Sequence, residues 1–412
     1  MSLVLLVVSA AVLLAVTTAF IPIRRDPITG TAFVVGWLTG ELAGQLVVLD
    51  LVVVGALVWL GGARHALGRV GLALDAVALV GLCVLVVVGR RARGVVVASL
   101  ASTPGMPVVV TPDHLRPRWG RWWRVARGLP LPARSTVITR NVDYVGDDVR
   151  RHRLDIYAPP GASGDAPVMV YVHGGAWVIG DKREQGRPMM FELVARGWVC
   201  VAINYRLSPA ATWPDHIVDV LSAIGWVRGH IADYGGDPSF IAVAGGSAGG
   251  HLAALAALAA GDPAFQPGFE EVDASVDACI PIYGVLDMTA DRATSGKHGP
   301  GLRILLEHRV FKKKLREHRA EFEAASPLRR VHPDAPPFLV LHGTNDTLVP
   351  VAVPRAFVPA LRAVSRNPVA YVELPLAQHA FDVTASPRTS ATTAGVVAFL
   401  DAVRGRRGES EH

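Results

Sequence analysis

The sequence predicts two unlike parts in one chain: an N-terminal bundle of about three transmembrane helices, then an α/β domain. In that domain a mostly parallel eight-stranded sheet carries helices on both faces. Three observations predict this. Residues 2–23 (SLVLLVVSAAVLLAVTTAFIPI) carry no charge. The 412-residue chain is 51% hydrophobic and only 18% charged, and the excess is concentrated in its first 90 residues. From about residue 135, short β-branched apolar runs alternate with helical stretches, the pattern of a parallel sheet buried on both sides.

Composition excludes several classes. A mean hydropathy of +0.35 is incompatible with a disordered or solvating chain. The three cysteines (Cys83, Cys200, Cys279) are far apart and lie in apolar runs, so they form neither a disulfide framework nor a zinc site. The net charge of +6 is clustered and accompanies no nucleic-acid recognition motif, so no nucleic-acid partner is expected. No internal repeat is visible.

The first run is long enough to cross a hydrocarbon core about 30 Å thick. No Lys or Arg precedes it, as a cleaved signal peptide would require, so it reads as an anchor. The second run, 33–62, contains Glu41 and Asp50 and reads as one tilted helix; the third, 68–89, contains Asp75. Arg24, Arg25, Arg90, Arg91 and Arg93 fall on one side of a three-span chain, and Arg64 and Arg69 on the other. The positive-inside rule then places the C-terminal bulk in the cytoplasm of a plasma membrane, in contact with membrane lipids. Intramembrane carboxylates are functional candidates. Here Glu41 and Asp75 are expected near helix ends at the interface and Asp50 facing another helix, with a transport or sensor role as the alternative.

Residues 1–93 are assigned to the membrane region, 94–134 to an Arg/Trp/Pro-rich linker, 135–405 to the α/β domain and 406–412 to a polar tail. The linker segment RPRWGRWWRVARG alternates Arg116, Arg118, Arg121, Arg124 and Arg127 with Trp119, Trp122 and Trp123. That composition suits a juxtamembrane surface or a cap packed on the domain.

Strands are expected at 135–142, 153–157, 167–172, 198–203, 240–244, 276–283, 337–342 and 369–374, with helices such as 215–230, 248–260 and 389–403. The turn Gly146-Asp147-Asp148 points to an antiparallel start. The run FIAVA (240–244) enters Gly245-Gly246-Ser247-Ala248-Gly249-Gly250 and a helix, placing G-x-S-x-G in a strand–turn–helix context. Ser247 is therefore the candidate nucleophile. The run PVMVYV (167–172) ends in His173-Gly174-Gly175, and the N–H groups of Gly174, Gly175 and Ala248 are candidate oxyanion donors. His173 reads as structural.

A serine hydroxyl needs a base, and the base an orienting acid. Asp346 and His379 each follow a strand's C-terminal end, and the order Ser247, Asp346, His379 is the expected one. His251 and His342 are rival bases, and Asp287, Asp334 and Asp382 rival acids; Asn345 could accept a hydrogen bond but supplies no charge. No metal or organic cofactor is implied.

HGGAWVIGDK, INYRLSP, WPDHIVDVLSAIGWVRGHIADYGGDPSFIAVAGGSAGG, ASPLRRV, HGTNDTLVP and AQHAF resemble the α/β-hydrolase carboxylesterases. The similar branches are the hormone-sensitive-lipase-like and feruloyl-esterase-like groups, and the resemblance spans about 140–400. The apolar N-terminus is similar to that of membrane-associated carboxylesterases of mycolic-acid bacteria. The resemblance implies an α/β-hydrolase fold, a cap built partly from the N-terminal segment, Ser247, Asp346 and His379 as triad, and Gly174 and Gly175 as oxyanion donors. Two positions depart from the lipase-like pattern: Gly246 stands where Asp is usual, and His251 where Asn is usual. The expected activity is cleavage of small-molecule or lipid esters through an acyl-enzyme on Ser247. An amidase such as an arylformamidase, with the same triad, and a non-catalytic membrane scaffold are the alternatives. Residues 303–323 (RILLEHRVFKKKLREHRAEFE) are expected as one basic helix, either solvated, pressed on an anionic membrane surface or acting as a lid.

Overall fold

A computed structural model describes residues 1–24, 28–118, 135–296 and 299–410. The tryptophans at 119, 122 and 123, with Arg121, Arg124 and Arg127, lie outside these residues, as does Arg25.

All eight expected strands are present: β1 Val137–Asp143, β2 Arg153–Ala158, β3 Ala166–Val172, β4 Val199–Ile203, β5 Gly236–Gly246, β6 Ala278–Ile282, β7 Phe338–Gly343 and β8 Val369–Leu374. They form one sheet in the order β1-β2-β4-β3-β5-β6-β7-β8. β1 runs antiparallel to β2 and β2 to β4, and the remaining pairs are parallel. The period-2 rule divides each central strand between two cores. Val168, Val170 and Val172 of β3 pack on one face with helices α6 (Asp215–His230), α7 (Ala248–Ala259) and α8 (Ala352–Val364). Met169 and Tyr171 face the other side, with α5 (Arg187–Ala195) and α9 (Pro387–Ser410). This is an α/β-hydrolase sheet with both faces covered.

Among the described residues, four α-helices precede it: α1 Ser2–Phe20, α2 Thr29–Glu41, α3 Ala43–Trp59 and α4 Ala66–Ala101. α1 and α4 are long and apolar enough to cross a membrane, and α2 with α3 makes a third candidate bent by 89°. The single tilted helix expected over 33–62 is thus a broken pair. Its break is fixed chemically: Glu41, at the end of α2, accepts from Arg388 Nη1 (2.8 Å) and Ser386 Oγ (2.6 Å) of the C-terminal part. Glu41 is therefore buried against the α/β domain. Asp75 is likewise buried, on the seam of α4, and Asp50 is buried on α3.

α4 is one unbroken helix across the expected boundary at 93. At 1.5 Å per residue its 36 residues reach about 54 Å, beyond any bilayer core. Its buried positions recur every three or four residues from Gly68 through Gly71, Asp75, Ala78, Leu82, Leu85 and Gly89 to Ala92, Val96 and Leu100. The last three belong to the same core as Phe399 of α9 and Met169 of β3. The helix is thus a shared strut between bundle and sheet. The following segment also straps onto the domain, through His114 Nε2 on Asp401 (3.2 Å) and Arg196 on Asp113 (3.0 Å). α9 continues through the expected tail to Ser410.

The stretch 303–323 is not one helix. It divides into Gly299–Leu305, a π-helical turn Leu306–Val310 and Arg319–Ala324. Phe311 stacks on Phe322 at 3.8 Å in the core, while Lys313 pairs with Glu321 and Lys314 with Glu307. Apolar burial, rather than helical amphipathicity, decides its path.

Candidate active site

The motif around Ser247 folds as a sharp turn between β5 and α7. Ser247 has φ 59° and ψ −121°, a conformation costly for a side-chain-bearing residue and characteristic of functional sites. Its N–H donates to Ile282 O at 2.9 Å, which pins the turn to β6. A Cβ on Gly249 would lie 2.0 Å from Val172 O, so only glycine lets α7 leave the turn this close to β3.

Asp346 and His379 lie on the loops after β7 and β8, as expected. His379 Nδ1 is 2.7 Å from Asp346 Oδ2, and both residues are buried. Asp346 Oδ1 accepts the N–H groups of Leu348 (2.9 Å) and Val349 (2.8 Å). Burial pushes the Asp346 carboxyl up, but the His379 ring, His342 and the Val349 amide outweigh it and hold it below the ordinary carboxylate range. Gln378 Oε1 accepts from the N–H of Thr347 (2.7 Å) and of His379 (2.9 Å), tying the acid loop to the base loop.

The rivals take other work. His251 accepts from Trp177 Nε1 (3.2 Å) and its Nε2 binds Ala325 O (2.8 Å), while burial depresses it to about 4. His173 Nδ1 bonds Gly174 O (2.7 Å), its ring stacks on Tyr205 at 4.5 Å, and burial depresses it to about 4, so it is neutral and structural. His342 Nε2 bonds Val349 O (3.0 Å). Asp287 accepts from Thr289 and Thr294, and Asp334 pairs with Arg366 at the surface.

The N–H of Gly174 donates to Gln185 Oε1 at 2.8 Å. Gly174 lies against the serine turn, where an added Cβ would stand 3.0 Å from Ser247 Cβ; Gly175 has φ 117°, and Ala248 is the first residue of α7.

Three sets of contacts escape sequence reasoning, although Asp382 and Asn345 are themselves candidates by sequence. Tyr283, just past β6, sets its ring 4.4 Å from His379, and its hydroxyl donates to Asp382. Burial pushes Asp382 up to about 6 although that hydrogen bond opposes it. The second group is Asn345, whose amide donates to Ala19 O (2.9 Å) and Phe20 O (3.0 Å) at the end of α1. The third is the bundle itself: Arg24 Nε donates to Asp346 O (3.2 Å), and Phe33 of α2 meets the His379 ring at 5.9 Å, edge to face. Tyr283 was findable from its place at a strand's C-terminal end; the other contacts span more than 300 residues and leave no local signal.

The eight-stranded, mostly parallel sheet with helices on both faces defines an α/β-hydrolase. The family described as BD-FAE matches residues 154–361. The chain is 43% identical to "Probable carboxylic ester hydrolase LipM" of Mycobacterium tuberculosis over 96% of this chain and 92% of that one. It is 49% identical to "Esterase LipQ" of the same organism over 65% of this chain and 63% of that one. Among solved structures, a truncated carbohydrate esterase from gut microbiota superposes with a TM-score of 0.56 at 26% identity, covering 66% of this chain and 99% of that one. The chain belongs to this carboxylesterase family and is a carboxylic ester hydrolase.

Proposed function

We propose that the chain is a membrane-anchored serine esterase that works through an acyl-enzyme on Ser247. What carries the reading is the 2.7 Å Asp346–His379 hydrogen bond together with a serine held at positive φ on the strand–helix turn. His379 takes the Ser247 hydroxyl proton as the oxygen attacks the ester carbonyl; Asp346 holds the imidazole tautomer and stabilises the imidazolium. The amides of Gly175 and Ala248 stabilise the tetrahedral oxyanion, each worth roughly 3 kcal/mol of barrier. His379 then protonates the leaving alcohol. Water, deprotonated by the same histidine, attacks the acyl-enzyme and releases the acid and free Ser247.

α1, the bent α2–α3 pair and α4 form the anchor. Leu3, Val7 and Leu14 of α1, Val48, Leu51 and Val52 of α3, and Val70, Val77 and Val80 of α4 are exposed, an apolar girdle that suits lipid and not water. With α1 and α4 both ending at the α/β domain, the N-terminus lies across the membrane from it. The arginine balance puts the catalytic side in the cytoplasm.

A fluorophosphonate probe is expected to label the full chain and to spare Ser247→Ala. Labelling that persists in the alanine variant would refute Ser247 as nucleophile. A C-terminal reporter active only outside the cell would reverse the orientation.

A further inference from the structure

We propose that the catalytic centre opens against the bilayer and draws its substrate from it: an acyl ester resident in the membrane, such as an acylglycerol, with α2 as the lipid-side wall of the site. This rests on the serine-esterase and membrane-anchor readings above and names the substrate class for them.

The depth of the site is set by α1. Its 19 residues span about 28 Å, close to the ~30 Å of a hydrocarbon core. Its C-terminal carbonyls, at Ala19 and Phe20, are the ones capped by Asn345, the neighbour of Asp346. The acid therefore sits at the very level where α1 leaves the hydrocarbon. Arg24, one turn on, holds the carbonyl of Asp346 itself.

α2 lies across this boundary. It turns away from α3 by 89°, and from Thr29 to Gly40 it carries no charged residue. Its inner side gives Phe33 to the His379 ring and packs Gly36 so close that a Cβ there would lie 2.9 Å from Thr18 O and 3.6 Å from Gln378 Nε2. Its outer side exposes Val34 and Leu38. An uncharged helix with apolar residues on both sides is poorly suited to cover a mouth that faces water. Laid in the interfacial region, it buries its outer side in lipid.

The segments around the site repeat the pattern. Ile21 and Ile28 flank the α1–α2 connection, Ile179 closes the turn that holds Gly175, and Leu348 lies in the acid loop; all four are exposed. Together with Val34 and Leu38 they put large apolar side chains on the bundle, the oxyanion loop and the acid loop alike. Such a rim desolvates readily against acyl chains and costs free energy against water.

The test uses the full chain in mixed detergent micelles, with dioleoylglycerol as the bilayer-type probe and p-nitrophenyl butyrate as the soluble one. Fluorophosphonate labelling of Ser247 serves as the control for an intact site. At fixed bulk dioleoylglycerol, turnover is expected to fall in proportion as detergent dilutes its surface mole fraction. The double variant Val34→Glu, Leu38→Glu is expected to lower the ratio of dioleoylglycerol to p-nitrophenyl butyrate turnover by about tenfold, with labelling retained. Turnover that follows bulk concentration and ignores surface dilution, or an unchanged ratio in the double variant, would overturn lipid-side access while the labelled serine upholds the esterase reading. Loss of labelling in the wild-type chain would remove both.

Discussion

Asn345 and Ala19 are 326 positions apart, yet the Asn345 side-chain amide donates to the Ala19 carbonyl at 2.9 Å and to Phe20 at 3.0 Å. The residue before Asp346 thus closes the last turn of the first helix. Leaving such carbonyls unpaired costs on the order of 1–3 kcal/mol each. Asn345→Leu is expected to lower the thermal midpoint and to reduce kcat on a soluble ester, with KM little changed. Asn345→Asp should be worse, because it sets a carboxylate against two carbonyl oxygens. Wild-type kcat in both variants would show that the cap does not hold the acid loop.

Glu41 and Arg388 form the other clamp, an ion pair at 2.8 Å whose side chains are each only 1% exposed. Arg388 also donates to Gly40 O at 3.2 Å, so it grips the end of α2 from the start of α9. Removing one partner of a buried pair leaves an uncompensated charge and typically costs about 3–5 kcal/mol. Glu41→Ala is expected to destabilise the detergent-solubilised chain by that order. The double variant Glu41→Gln, Arg388→Met should recover much of the loss. Thermal melts of the three proteins decide it: a double variant as unstable as the single one would argue against the ion pair as the linkage.

The strands were legible because each combines an apolar β-branched run with a flanking turn, and the elbow because G-x-S-x-G stood between such a run and a helix. Asp346 and His379 were legible because both follow strand ends. What escaped depends on burial between distant segments. Glu41 reads as a carboxylate interrupting an apolar run, and only Arg388, 347 positions on, explains the bend beside it. The reach of α4 past residue 93 was hidden because Arg90, Arg91 and Arg93 mark a membrane boundary by charge, while the helix itself continues on Ala92, Val96 and Leu100. The Gln185 acceptor of the Gly174 N–H likewise leaves no local signal.

The unusual Gly246 has its reason in Tyr283. A Cβ at 246 would lie 2.8 Å from the Tyr283 hydroxyl and 2.9 Å from its ring, so the tyrosine fills the space where a side chain would stand. Because Tyr283 also touches His379, crowding it should displace that ring. Gly246→Ala is expected to lower kcat by about tenfold or more, in line with a strained core costing about 1–3 kcal/mol. Adding Tyr283→Leu should restore part of the loss by clearing the space. If the two substitutions act additively in a double-mutant cycle, the contact does not govern the site.

Three buried histidines set the response to acid. Burial depresses His173, His216 and His251 to about 4 in the folded chain, against an ordinary value of 6.5. Between those values the unfolded chain binds protons that the folded one does not, so stability falls as pH drops from 6.5 toward 4. Each histidine accounts for roughly 2 kcal/mol by pH 5 and roughly 3 kcal/mol by pH 4. His152 opposes this in part: Asp219 and Asp147 raise it although its burial pulls the other way, and its stabilisation is present at low pH and lost as pH rises. The net expectation is a thermal midpoint that declines steeply below pH 6.5. His251→Asn removes one titrating ring, so its midpoint should start lower at pH 7.5 but decline less between pH 6.5 and 5. Parallel declines in the two proteins would mean that His251 takes up its proton without unfolding.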